Sequence, residues 1–280
     1  MPDSQISRSS VPLSPHALRW LTGTLIGLPV LACVAAGPPW CLCLLLMLAS
    51  PVALWEIHGL VFLEPIPLKW RVFSYCAGVL FPLGAFFWGL PGLNLVLFCF
   101  LFGAFFLMMA CSPRDPDGLQ RIAQLTLAWF YVPYLLSYVL LLRAAPLGRY
   151  WIIFVLGVII AGDAGAYHTG MRFGRHKLFE RVSPKKTVEG AVGGLLASII
   201  LGTIIGLALL DGFHPARIVL FSFFIAIVGQ IGDLIESMIK RNCGKKDASC
   251  LLPGHGGLLD RLDSLLFAFP LMWFLLQRIA

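Results

Sequence analysis

The side chains best suited to chemistry crowd into one stretch, Gly232 to Asp263, where acids, bases and glycines lie between two apolar segments. If its first part closes a transmembrane helix, Asp233, Glu236, Ser237 and Lys240 recur at intervals of three and four and share a face, with Arg241 beside them. Asp260 and Asp263 are three apart and share a face at the start of the last helix. The glycines of P-G-H-G-G just before them permit a tight turn. Two carboxylate clusters can therefore meet across a folded basic loop. Oxygen ligands of this kind suit Mg²⁺, which takes one or two carboxylates together with substrate phosphates, while Lys and Arg clamp the remaining phosphate charge.

A second polar block starts inside an apolar run. Asp163 follows the stretch from Trp151 to Ala161, between Gly162 and Gly165, and an acid there needs a cation or donors close by. Either it belongs to a site or it pairs structurally with an arginine. Downstream come six Lys or Arg residues and S-P-K-K-T, in which Ser183, Lys185, Lys186 and Thr187 precede a glycine-rich helix start at 189–194. Helix N-termini and adjacent lysines bind phosphate. A positive loop touching anionic lipid heads is the other reading of the same residues. Glu56 and His58 form an ionisable pair within a hydrophobic segment, facing either a partner or cavity, or a structural hydrogen bond.

The two blocks together resemble a known family. S-x-x-K-R from Ser237 to Arg241, K-D at Lys246 and Asp247, L-P at Leu252 and Pro253, and H-G-G-x-x-D-R-x-D from His255 to Asp263 look like the signature of the bacterial phosphatidate cytidylyltransferases, the CDP-diacylglycerol synthases. The block D-A-G-A-Y-H-T-G-M-R-F-G-R-H-K-L-F-E-R-V-S-P-K-K-T-V-E-G from Asp163 to Gly190 is similar to that family as well. The resemblance covers the C-terminal half; the N-terminal half matches only in being hydrophobic. It implies that phosphatidate attacks the α-phosphorus of CTP, giving CDP-diacylglycerol and pyrophosphate in phospholipid biosynthesis. On that footing Asp233, Asp260 and Asp263 are expected to hold Mg²⁺. Lys240, Arg241, Asp247 and His255 are the expected catalytic residues. Asp163, Ser183, Lys185, Lys186, Thr187, Ser237, Lys246 and Arg261 are expected to contact substrate. A related enzyme acting on another lipid phosphate would share the motifs. An anion or lipid transporter would spread its acids along a path and show an inverted repeat, which this chain lacks, and a lipid-binding scaffold would not need three aspartates.

The elements that must position these residues follow from composition. With 59% hydrophobic and 12% charged residues and a mean hydropathy of +0.86, 280 residues cannot form a soluble globule, so the expected fold is an all-α polytopic membrane protein. Apolar windows of spanning length fall at 20–36, 40–58, 72–90, 93–111, 121–142, 150–168, 190–210, 216–236 and 262–279. That predicts about nine helices, with residues 1–148 as N-terminal transmembrane helices and 149–280 as a catalytic region carrying two loops, 170–188 and 237–261.

With the N-terminus cytoplasmic, 17 of the 21 Lys and Arg residues fall on its side, leaving Arg143, Arg149, Arg217 and Arg278 opposite. Both motif loops then face the cytoplasm, and the expected location is a bacterial inner membrane. No cleaved signal peptide is expected from the polar first fifteen residues. The eight cysteines lie mainly in apolar runs and read as buried small hydrophobes, kept reduced where the cytoplasmic loop carries Cys243 and Cys250. No P-loop, nucleophile elbow or zinc spacing occurs. The expected partners are CTP, phosphatidate from the bilayer and membrane lipids, with no nucleic acid; a homodimer is among the open oligomeric forms.

Overall fold

Helices occupy nearly all of the apolar sequence, because a chain that leaves water must satisfy its N–H and C=O groups within itself. The computed structural model describes residues 15–62, 64–111, 115–251 and 256–279. Helix α1 is Pro15–Ala35 and α2 is Pro39–Val61, which opens on a proline where no helical N–H is required. Helix α3, Leu68–Cys111, reverses direction at Gly89, whose φ of 62° lies in the left-handed region. Phe73 and Phe100, 27 positions apart, consequently pack with tilted rings at 4.8 Å between centroids. The third and fourth expected windows are thus the two arms of one hairpin.

Helix α4, Gly118–Trp129, runs through a π-turn at Phe130–Tyr134 into α5, Tyr138–Ala144. Pro133 lies within that turn and has no N–H to continue the ordinary ladder. Helix α6 is Gly148–Phe173. It is followed by a short antiparallel hairpin, β1 (Lys177–Phe179) and β2 (Ser183–Thr187), with Lys177 opposite Thr187 and Phe179 opposite Ser183. The second strand delivers the chain to α7, Val188–Leu209, where the Thr187 side chain accepts the Gly190 N–H as an N-cap at 3.1 Å. Helices α8, Pro215–Asn242, and α9, Leu259–Ile279, complete the chain.

Among the described residues six helices are long and apolar enough to cross a membrane: α2, α3, the composite of α4 and α5, α6, α7 and α8. The protein is a multi-pass membrane protein. Its outer surface agrees, since Leu48 (74% exposed), Met109 (73%) and Trp88 (67%) point outward where a soluble protein would place polar groups. The cysteines depart from expectation for the same reason. Cys43 is buried, but Cys76, Cys99 and Cys111 sit on the outward faces of α3 and Cys250 is exposed in the loop before α9. In a helix surrounded by lipid, an apolar residue has no cause to turn inward.

Contacts sort the connections into two ends. At one, Gln124 Nε2 donates to Val61 O at 3.2 Å, Lys245 Nζ to Gly59 O and Arg241 Nε to Val182 O at 3.3 Å. At the other, Arg143 donates to Gly37 O at 3.1 Å and Trp151 packs on Phe213 at 4.8 Å between centroids. Between the ends lies an aromatic core that includes Phe81, Trp129 and Phe221, all fully buried. Both motif blocks emerge at the first end.

Candidate active site

Helix α8 builds the site. Its last three turns carry Asp233, Glu236, Ser237 and Lys240, and α9 starts close enough for its acids to face them. The approach depends on Gly232: a side chain there would meet Asp263 O at 2.8 Å and the Phe267 ring at 3.1 Å. Only a residue without Cβ lets the two backbones come so near.

Three carboxylates form one group. Asp163 from α6, Asp233 from α8 and Asp263 from α9 interact electrostatically with one another, and Arg261 lies within reach of Asp163. Lys186, from β2, forms an ion pair with Asp233; both side chains are about one-third exposed, at 28% and 30%. The S-P-K-K-T segment and the α8–α9 block therefore converge, as the family resemblance implies.

A second, drier group lies one turn further along α8. Lys240 Nζ donates to Glu236 Oε1 at 2.9 Å and to Asp260 Oδ1 at 2.5 Å, and Glu236 is fully buried. Asp260 also accepts the N–H groups of Ala248 at 3.1 Å and Gly257 at 2.8 Å. The expected trio of Asp233, Asp260 and Asp263 is thus divided. Asp260 binds a lysine and two backbone amides, and Asp163 stands with the other two.

The remaining expected residues fall in several places. Arg241 donates to Val182 O at 3.3 Å and to Lys245 O at 3.0 Å, joining the β-hairpin to the loop after α8. Lys185, Lys246 and Asp247 are exposed on the same end, and Ser183 and Ser237 are half-buried. Thr187 is spent on capping α7, while Glu189 grips the hairpin by accepting the N–H groups of Arg175 at 3.0 Å and His176 at 3.2 Å. His255, with Leu252 and Pro253, lies outside the described residues.

Two buried groups of the N-terminal half reach this end without carrying a motif. Tyr131, in the π-turn, has a buried hydroxyl with no hydrogen-bond partner among the described residues, and it lies within electrostatic reach of Glu236, Asp263 and Asp233. Glu236 Oε2 is similarly orphaned. Pro133 inside an otherwise helical run is the sequence signal for the irregularity, but it does not say which side chain the turn aims inward. Glu56 and His58 point apart. His58 Nε2 meets Ser74 Oγ at 3.1 Å, and that oxygen accepts the Trp129 indole N–H at 2.7 Å. Ser74 thus links the His58 ring to the Trp129 indole in a buried hydrogen-bonded chain, a structural role. Glu56 turns to the loop before α9.

The carboxylate oxygens and two orphaned buried oxygens suit a hard divalent cation, and the neighbouring lysines suit the phosphates that would accompany it. Among the described residues no three carboxylate, His or Cys groups converge tightly enough to hold a metal alone.

Comparison with known proteins gives the family of the chain. The model of the "Cytidylyltransferase family" matches residues 17–279. A protein named phosphatidate cytidylyltransferase from Bacillus subtilis (strain 168) is 39% identical over 158 residues, 56% of this chain and 59% of that protein. One of the same name from Helicobacter pylori (strain J99) is 46% identical over 120 residues, 43% of this chain and 44% of that protein. The uncharacterized protein YnbB of Escherichia coli (strain K12) is 36% identical over 209 residues, 68% and 70% of the two chains. The chain spans about half the length of the curated phosphatidate cytidylyltransferases that it matches. With a family model spanning nearly its whole length and both motif blocks folded onto one end, the chain belongs to the cytidylyltransferase family.

Proposed function

We propose that the protein is a membrane-embedded nucleotidyltransferase that moves the cytidylyl group of CTP to phosphatidate, giving CDP-diacylglycerol and pyrophosphate. The observation that carries the reading is the meeting of Asp163, Asp233 and Asp263 with Lys186 at one end of the helices. It joins both motif blocks of a chain that belongs to the cytidylyltransferase family, and relatives bearing the name phosphatidate cytidylyltransferase support the choice of lipid.

In this reading a phosphate oxygen of phosphatidate forms a bond to the α-phosphorus of CTP. The bond from that phosphorus to the bridging oxygen breaks, and its electron pair leaves with pyrophosphate. The nucleophile is already an anion, so no strong base is needed, and positioning and charge compensation carry the rate. Asp233 and Asp263, with Asp163 beside them, would hold Mg²⁺. The ion would supply charge neutralisation at the phosphates.

Lys186 is the exchangeable cation of this reading. About one-third exposed and ion-paired to Asp233, it can exchange that carboxylate for a more highly charged triphosphate. Lys185 and Lys246 extend the positive field to incoming CTP, and the Tyr131 hydroxyl offers an unspent donor. Phosphatidate enters sideways from the bilayer. The reading also puts this end in the cytoplasm of a bacterial inner membrane, supported by the 17 basic residues on that side.

The test is direct. Purified protein in phosphatidate-containing vesicles, given CTP labelled at the α-phosphate and Mg²⁺, should yield one labelled lipid and one pyrophosphate per turnover. A folded preparation that labels no lipid under these conditions overturns the proposal.

A further inference from the structure

Glu56 is an odd residue to find 1% exposed within a membrane helix, because a buried carboxylate is costly unless donors surround it. Its donors all come from one distant segment. Ser249 Oγ approaches Oε1 at 2.5 Å, the Leu258 N–H reaches the same oxygen at 2.9 Å, and the Leu259 N–H reaches Oε2 at 2.6 Å. The two amides stand at the start of α9, where a helix leaves its first N–H groups unbonded and carries partial positive charge. Glu56 therefore caps α9 from another helix, about 200 positions away in sequence.

The turn itself is shaped for this contact. A side chain at Gly257 would meet the Glu56 carboxyl group at 2.8 to 3.0 Å, so the glycine admits the carboxylate. One helical turn along α2, Gly59 O accepts Lys245 Nζ, tying down the near end of the same loop. Asp260 holds the turn from its other side through the Gly257 and Ala248 N–H groups. The segment that delivers Asp260 and Asp263 is gripped between two carboxylates, one from its own helix and one from α2.

We infer that Glu56 is a positioning residue of the active site: it fixes the start of α9, and through it the placement of Asp263 opposite Asp233. This rests on the proposed cytidylyl transfer. Glu56→Gln replaces one acceptor oxygen with an NH₂ group that cannot accept a proton. One of the three donors then faces another donor, and the turn is freed locally without loss of side-chain volume. Glu56→Asp keeps the charge but withdraws it by one methylene.

The test combines hydrogen–deuterium exchange with kinetics on the full-length protein in vesicles. For Glu56→Gln we expect faster exchange confined to peptides covering residues 245–262. We also expect a fall in kcat of on the order of 10- to 100-fold, the scale of an ångström-sized misplacement, with the KM for CTP changed by less than about threefold because the triphosphate-gripping hairpin is untouched. Glu56→Asp should recover part of both. Wild-type-like kcat and exchange in Glu56→Gln overturn the inference. If Glu56→Gln unfolds globally, Glu56→Asp decides: a general loss of protection with unchanged kcat per folded molecule means that the residue only stabilises the fold, and the inference fails. If the wild type transfers no cytidylyl group, the activity reading fails instead, while the exchange experiment still reports on the clamp.

Discussion

Lys240 and Lys186 are both motif lysines in contact with an aspartate, yet their surroundings predict opposite responses to Lys→Met. Lys240 lies 11% exposed between Glu236 and Asp260, whose side chains are 0% and 9% exposed. Deleting its charge leaves two buried carboxylates with no cation between them, a loss of about 3–5 kcal/mol for a buried pair broken from one side. At about 2–4 °C per kcal/mol for a chain of this order of size, the Tm should fall by on the order of 10 °C. Lys186 and Asp233 are 28% and 30% exposed, so their pair contributes about 0–1 kcal/mol after solvent screening. Lys186→Met should therefore shift Tm by only a few degrees, about 0–4 °C, while disabling CTP turnover. Thermal unfolding in detergent, followed by loss of the monodisperse size-exclusion peak, separates the two variants. Adding Glu236→Gln to Lys240→Met should return part of the lost stability without restoring activity, because one uncompensated charge has gone and the two sites share a network. Equal Tm losses in the two single variants, or a Lys240→Met Tm within about 2 °C of wild type, would refute the division into a structural and a substrate-facing lysine.

Three further outcomes follow from the geometry. Gly232→Ala forces a methyl group against Asp263 O, a backbone atom with no rotamer to yield, and should cost about 1–3 kcal/mol by overpacking together with most of the turnover; full activity with unchanged Tm would show that α9 need not lie so close. Asp233→Asn and Asp263→Asn should each abolish lipid labelling while leaving a folded protein, and isothermal titration should show weaker Mg²⁺ binding in the presence of CTP; labelling near wild type would remove either residue from the metal role. A reporter inserted near Lys177 should read as cytoplasmic and one fused after Ala280 as non-cytoplasmic, since α7, α8 and α9 lie between them; both reading on one side would mean that an even number of crossings separates the two points.

The helices and the shared faces within them could be read from the chain because apolar run length and three-to-four spacing are local properties, whereas the convergence of the two motif blocks was implied by the family resemblance alone. What faced what could not. The spacing puts Asp260 and Asp263 on one helix face, but not which of them meets Asp233; Lys240 and the Ala248 and Gly257 amides claim Asp260 first. Glu56 was conspicuous as an acid in an apolar run, yet its partners lie 193 to 203 positions away, beyond any periodic pattern. Strands β1 and β2 were hidden because they are short and charged, without alternation to mark them. The cysteines went astray because a lipid-facing surface is as apolar as the interior, and the pattern that separates inside from outside in a water-soluble helix is absent.

The clamps at this end share a property with consequences for how such a chain can diverge. Glu56 takes hold of the Leu258 and Leu259 amides, and Arg241 takes hold of the Val182 and Lys245 carbonyls. Each reads main chain, which every residue other than proline presents alike. Positions 182, 258 and 259 are therefore free to drift among apolar residues of similar size without loosening the grip, while the gripping side chains and Gly257 are not. A saturation library scored by growth should show this asymmetry: narrow tolerance at one partner of each contact and broad tolerance at the other. Two members of such a lineage can thus keep the same active-site frame with little identity across the helices that hold it.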